Sequence, residues 1–226
     1  MSRSQIEIVN RDRFPKAVWA EWAMPFKGTT VVKAADKTHL EAAFNTGFYT
    51  ISAQTAQGKT FTALALALWL SRTAPTVFKQ VNEPRAAALS KDELLAAVEK
   101  STAQIIVVDS LGAILEEASA GDDGDVTYSG GLRIGVVRYL RLLQSTAFEH
   151  DKVLIGVVNT SVFPIKNELE GVFEGVVTPG AIGAISKRDR SNRKNQIFAF
   201  PDEVMLAAQR TLGYDFGESS TGMRLI

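Results

Sequence analysis

Phe48-Tyr49-Thr50-Ile51, then Ala53-Gln54-Thr55-Ala56-Gln57-Gly58-Lys59-Thr60, then the apolar stretch Phe61 to Leu70 decide the fold between them. The first reads as a short buried strand and the last as the body of a helix over Thr60 to Ser71. The eight residues between match the P-loop spacing, with Ala53 where that pattern has its first glycine. Position 53 is the strand exit, where a methyl group is tolerable. The pattern has a physical basis. Backbone amides of the turn and of the helix start point inward, and the helix dipole favours an anion there. Lys59 would neutralise β- and γ-phosphate oxygens, the Thr60 hydroxyl would ligate magnesium, and Gly58 lets the backbone close in without a Cβ. Ala53, Gln54, Thr55, Ala56, Gln57, Gly58, Lys59 and Thr60 are therefore the expected cradle for ATP, or another nucleoside triphosphate, with its Mg2+. The alternative is an ordinary Gly-Lys-Thr turn, and the strand before and helix after speak for the cradle.

Outward from this motif the chain alternates strands and helices. Thr76-Val77-Phe78-Lys79 reads as a strand ending near Glu83-Pro84. Ser90-Lys91-Asp92-Glu93 is a capping box, in which the serine hydroxyl and the glutamate carboxylate each satisfy an orphan amide, and its helix runs to about Lys100. Ile105-Ile106-Val107-Val108 and Val153 to Val158 are continuous apolar runs, as expected of central parallel strands covered on both faces. Ala118 to Gly131 reads as a long loop, Leu132 to Phe148 as a helix. Ala181 to Ser186 and Gln196 to Phe200 read as late strands joined by a basic turn, Lys187 to Asn195. The expected fold class is α/β, a mainly parallel twisted sheet flanked by helices. Trp19, Trp22 and Phe26 suggest a small packed lead-in over residues 1–45, ahead of a core over 46–217 and a tail at 218–226.

Several residues sit where this chemistry needs them. Asp109 ends an apolar strand about fifty positions past Lys59, room for one intervening strand–helix unit. It would contact magnesium through water as the second acidic anchor, or else cap the helix after it. Glu83, just past the second strand, is the candidate general base that polarises the attacking water, or a surface glutamate before Pro84. Asn159 ends the next strand, where an amide can sense the γ-phosphate, or merely serves a turn. Transferring phosphoryl charge is commonly met by an arginine from a neighbouring subunit. Arg188, Arg190, Arg193 and Arg210 are available, with Arg210 favoured.

Composition limits the rest. With 226 residues, 46% hydrophobic and 22% charged, the chain suits a soluble globular protein with one sizeable core. Its 25 basic and 25 acidic residues cancel, which argues against a surface coated in positive charge and leaves room for a narrow basic strip. There is no cysteine, so disulfides and thiolate metal sites are excluded, and two histidines, His39 and His150, are too few for a zinc centre. The run Phe61 to Leu70 is about half a bilayer span. Met1 to Arg13 has no apolar signal core. A cytoplasmic protein with no membrane partner is the expectation.

Ile106-Val107-Val108-Asp109-Ser110-Leu111, Thr127-Tyr128-Ser129-Gly130-Gly131 with Gly135, Val158-Asn159-Thr160-Ser161, and Gln209-Arg210 with Tyr214 and Gly217 occur in this order, after the P-loop and Glu83-Pro84. In this the chain resembles the hexameric packaging NTPases of segmented double-stranded RNA bacteriophages, the cystoviruses. The P-loop and aspartate motifs are generic, whereas the Ser-Gly-Gly loop and the Gln-Arg…Tyr tail are more particular. The resemblance implies a RecA-like core assembled as a homohexameric ring with ATP between subunits. Its hydrolysis would drive single-stranded RNA into the viral procapsid, at virion vertices, in the host cytoplasm. It implies that Lys166 grips RNA phosphate, that the loops at 118–131 and after Asn159 face the channel, and that Arg210 is an arginine finger. Gln209 and Tyr214 would hold the base. A second family finger has no arginine near Phe200 to Glu203, and Arg188 or Arg190 would substitute. Family members carry a larger N-terminal domain and a C-terminal extension that this chain does not match. A DNA helicase or recombinase of the same core, and a non-motor ATP-binding switch, share the generic motifs.

Overall fold

The computed structural model describes residues 6–9, 44–72, 74–80, 90–120, 127–128, 132–161, 171–180, 184–190 and 195–212. The strands are β1 (Ile6–Val9), β2 (Gly47–Ala53), β3 (Thr76–Gln80), β4 (Ile105–Asp109), β5 (Thr127–Tyr128), β6 (Leu132–Arg133), β7 (Val153–Asn159), β8 (Gly175–Pro179), β9 (Ala184–Asp189) and β10 (Asn195–Ala199). The helices are α1 (Lys59–Leu70), α2 (Lys91–Lys100), α3 (Gly112–Ala120), α4 (Ile134–Glu149) and α5 (Asp202–Leu212). The main sheet runs β1-β3-β4-β7-β2-β8-β9-β10, and β5 and β6 form a separate antiparallel pair. Strands β1, β3, β4, β7, β2 and β8 pair in parallel, and β9 runs antiparallel between β8 and β10. This is the α/β class with a mainly parallel sheet flanked by helices expected from the sequence.

The continuous apolar runs are explained by two cores, one on each face. Because side chains alternate along a strand, a doubly covered strand is apolar at every position. Tyr49, Ile51, Val107, Ile155 and Val157 point to the core shared with α1 and α5. Phe48, Ile106, Val108, Leu154 and Val158 point to the other, shared with α2, α3 and α4. Helix α1 is buried from Thr62 to Leu70, which is why its sequence has no polar face. Trp69 closes its lower end, edge-on to Phe198 at 5.7 Å and to Phe200 at 5.5 Å. The capping box at Ser90 is present in both directions, with Glu93 N–H donating to Ser90 Oγ at 3.1 Å and Ser90 N–H to Glu93 Oε2 at 2.8 Å.

Four expectations need correction. The stretch read as a loop over Ala118 to Gly131 contains the end of α3 and strand β5, and the following helix starts at Ile134, after β6. Strand β9 begins at Ala184 and continues to Asp189, so Lys187 and Arg188 are strand residues and not part of a turn. Lys187 is 2% exposed. It pairs with Asp189 and lies 5.0 Å from the Phe44 ring centre and 5.3 Å from that of Tyr49. Burial lowers its pKa and the Asp189 carboxylate opposes this, while burial raises that of Tyr49. Strands β1 and β8 and helix α5 are additions to the sequence reading. The lead-in residues Trp19, Trp22 and Phe26 lie outside the described residues. Among the described residues no helix is long and apolar enough to cross a membrane.

Candidate nucleotide site

All six parallel strands of the main sheet finish at one edge, the edge where open α/β sheets bind ligands. Strand β7 separates β2 from β4. Register pairs Ala53 with Asn159, Val108 with Gly156 and Gln80 with Asp109. The ends of β2, β7 and β4 thus bring the loop 54–58, Asn159 and Asp109 together in that order. Glycine at 156 is required by the same geometry. A Cβ there would stand 2.2 Å from Leu111 Cδ1, 2.8 Å from its Cγ and 3.3 Å from Phe48 Cε2. Leu111, two residues past Asp109, is fully buried, and its N–H donates to Val157 O at 2.9 Å. Gly156 therefore lets the chain leaving Asp109 lie down on β7.

The loop itself is held by its own side chains. Gln54 N–H donates to Gln57 Oε1 at 3.0 Å, and Lys59 Nζ donates to Gln54 O at 2.5 Å. Gly58 adopts φ 71°, ψ 22° and opens α1 with no side-chain cap and no acidic residue in the first turn, which leaves the positive end of the helix to an anion. Ala53, 6% exposed, fills the first-glycine position without disturbing β2, and its carbonyl accepts from Thr160 N–H at 3.1 Å. Thr60 is half-buried in the first turn of α1. Desolvation lowers the pKa of Lys59, opposed by the field of Asp109, whose carboxylate is only 2% exposed. A partly desolvated ammonium and a buried carboxylate beside an uncapped helix start suit a magnesium–triphosphate, so the residues present fit that group. At the start of α3, Ser110 Oγ accepts from Gly112 N–H at 3.3 Å.

Asn159 joins the loop directly. Its Nδ2 donates to Thr55 Oγ1 at 3.0 Å, and its Oδ1 accepts from Ser161 N–H at 3.1 Å. The roles of Thr55 as this amide's partner and of Gln57 as an internal loop acceptor have no signal in spacing alone. Gly156 had one: a lone glycine inside an apolar strand marks close backbone approach. Arg210 is exposed in the last turn of α5, with Gln209 half-buried beside it. Arg188 is exposed on β9 opposite Val176, whose partner in β2 is Thr50. Arg190 lies 3.7 Å from Glu174. Glu83, Lys166, Arg193 and Tyr214 lie outside the described residues.

Ala56 holds φ 62°, a left-handed backbone that costs an L-residue about 1–2 kcal/mol. Replacing it by glycine removes that cost but adds about 0.4–1 kcal/mol of chain entropy in the unfolded state. Ala56→Gly should therefore leave stability unchanged or raise it by up to about 1 kcal/mol, while Ala56→Val should lower it by about 1–2 kcal/mol. Urea unfolding of the two variants checks this; equal losses in both would mean residue 56 is not strained.

No family model matches the chain, and no curated protein matches it. Among solved structures it is similar to the P4 protein from bacteriophage phi13, with 14% identity over 76% of this chain and 65% of that one, at a TM-score of 0.47. The P4 protein from bacteriophage phi6 in complex with ADP gives 14% identity over 78% and 66%, at 0.47. Flagellar accessory protein FlaH from Methanocaldococcus jannaschii gives 12% over 75% and 95%, at 0.43. The aligned part thus spans just under two thirds of either phage protein. Resemblance this remote assigns no activity, and the site has to be read from its own residues.

Proposed function

We propose that this chain is a nucleoside triphosphatase whose hydrolysis drives single-stranded RNA into a viral procapsid, working as a homohexameric ring with residues 46–217 as its motor core. The observation that supports the nucleotide half is the meeting of Lys59, Asp109 and the Asn159–Thr55 pair at one sheet edge beside an uncapped helix start. In this reading the loop amides and Lys59 bind the phosphates, and Thr60 and Asp109 hold magnesium. Magnesium held there would supply charge neutralisation to the triphosphate. Glu83 polarises the attacking water, Asn159 exchanges its Thr55 contact for the γ-phosphate, and Arg210 or Arg188 of a neighbouring copy meets the developing charge. Gln209 and Tyr214 hold the base.

The RNA half rests on the motif order, above all Thr127 to Gly131 and Gln209-Arg210 with Tyr214. Lys166 would grip the backbone as a mobile point charge, which suits a protein of net charge zero with a local basic pore. Phosphate release measured with single-stranded RNA and with single-stranded DNA tests it. RNA should stimulate turnover and DNA should not, and Lys166→Ala should keep basal turnover while losing the stimulation. Equal stimulation by DNA would replace packaging with a DNA helicase or recombinase.

A further inference from the structure

Gln54, Thr55, Ala56 and Gln57 are all exposed, so side-chain packing does not set the shape of this loop and hydrogen bonds must. Among the described residues three side-chain bonds reach into it. Gln57 Oε1 accepts from Gln54 N–H, Gln54 O accepts from Lys59 Nζ, and Thr55 Oγ1 accepts from Asn159 Nδ2. Two of the three start from groups that the proposed function gives to the triphosphate. Lys59 turns to the β- and γ-oxygens and Asn159 to the γ-phosphate, and both release the loop when they do. The bond between Gln57 and Gln54 involves neither.

That bond acts where the chain leaves β2. The peptide joining Ala53 to Gln54 is held at both ends, its carbonyl by Thr160 N–H at 3.1 Å and its N–H by Gln57 Oε1 at 3.0 Å. With that plane fixed, Gln54 O faces Lys59, and Gln57 N–H closes the turn on the same oxygen at 3.4 Å. Ala56, inside the turn, keeps φ 62°, a conformation that an L-residue leaves readily once the turn is unclamped. The same reach over three residues lets Glu93 Oε2 accept from Ser90 N–H, so a glutamate would serve at position 57 as well.

We propose that Gln57 is a positioning residue for the triphosphate, its side-chain carbonyl pinning Gln54 N–H so that the loop keeps its shape when Lys59 and Asn159 turn to the phosphates. This rests on the nucleotide half of the function proposed above. Loop amides meet the phosphates alike in the ground state and the transition state, so the effect falls on KM and not on kcat.

Steady-state turnover of magnesium–ATP by the full chain tests it, with every variant in about 0.5 M salt so that an added charge is screened. Gln57→Met keeps the length and loses the acceptor. It should raise KM about five- to tenfold, the worth of one hydrogen bond, with kcat within about twofold of the parent. Gln57→Glu keeps the acceptor and should return KM to within about twofold of the parent. Water replaces the lost bond at an exposed loop, so Gln57→Met should melt within about 2 °C of the parent. An unchanged KM in Gln57→Met, a Gln57→Glu no better than Gln57→Met, a loss carried by kcat, or a larger fall in melting temperature would each overturn the proposal. A parent without turnover would sink the hydrolase reading and this inference together. Turnover in the parent with KM indifferent to residue 57 would sink this inference alone.

Discussion

Lys59→Ala should lower nucleotide turnover by at least about 10²–10³-fold, the scale for removing one preorganised charge from a phosphoryl or acyl transition state. The same variant should melt at or above the temperature of the parent at neutral pH. Burial holds the Lys59 pKa below its ordinary 10.5 in the fold. Its protonated form is therefore a cost to the folded state, fully present below the folded pKa and relieved as pH rises toward the unfolded value. Removing the ammonium removes that cost, at the loss of one bond to Gln54 O. An incoming triphosphate offsets it differently, by surrounding the ammonium with negative charge, so nucleotide should raise the melting temperature of the parent and not of the variant. Turnover close to the parent's in Lys59→Ala would remove the assignment of this loop.

Gly156→Ala should destabilise the protein by about 1–3 kcal/mol, the usual cost of forcing an extra carbon into a packed core, or a fall of roughly 2–4 °C in melting temperature per kcal/mol for a domain of this size. The new methyl overlaps Leu111, which cannot swing clear because Phe48, Val108 and Leu154 fill the same core. Pairing it with Leu111→Ala gives the decisive measurement. Leu111→Ala alone should cost about 2–5 kcal/mol, and the double variant should cost less than the two single losses added, because the clash and the cavity cancel in part. Strict additivity would mean that Gly156 and Leu111 do not meet. Turnover should also fall in Gly156→Ala, since Leu111 is two residues from Asp109.

The parts of this molecule visible in its sequence are those where one residue type does one physical task. The strand–loop–helix around residues 53–60, the capping box at Ser90 and the buried strands ending at Asp109 and Asn159 are legible because glycine, serine and unbroken apolar runs each have few other uses. Strand β8 was missed although Val176-Val177-Thr178 between Gly175 and Pro179 carries β-branched residues and punctuation. Helix α5 was missed although Pro201 precedes an acidic first turn and Val204, Ala208 and Thr211 share its buried face. Lys187 was misread for a sounder reason. A lysine in a run of charges is normally solvated, and only the return of β9 against β8 brings Asp189, Tyr49 and Phe44 around it. The Thr55–Asn159 contact joins residues 104 positions apart, and no local pattern could announce it.

The late arrival of β7 in the chain has a consequence for biogenesis. Residues 153–159 must slot between two strands that end at residues 53 and 109 and are never neighbours themselves. A polypeptide leaving the ribosome therefore carries β4 and the lone strand β2 with open hydrogen-bonding edges until that segment emerges. Closure joins positions as far apart as Gly47 and Val153, a non-local step that slows folding. The loop at 54–58 is synthesised early, yet its partner Asn159 arrives only when the wedge strand goes home.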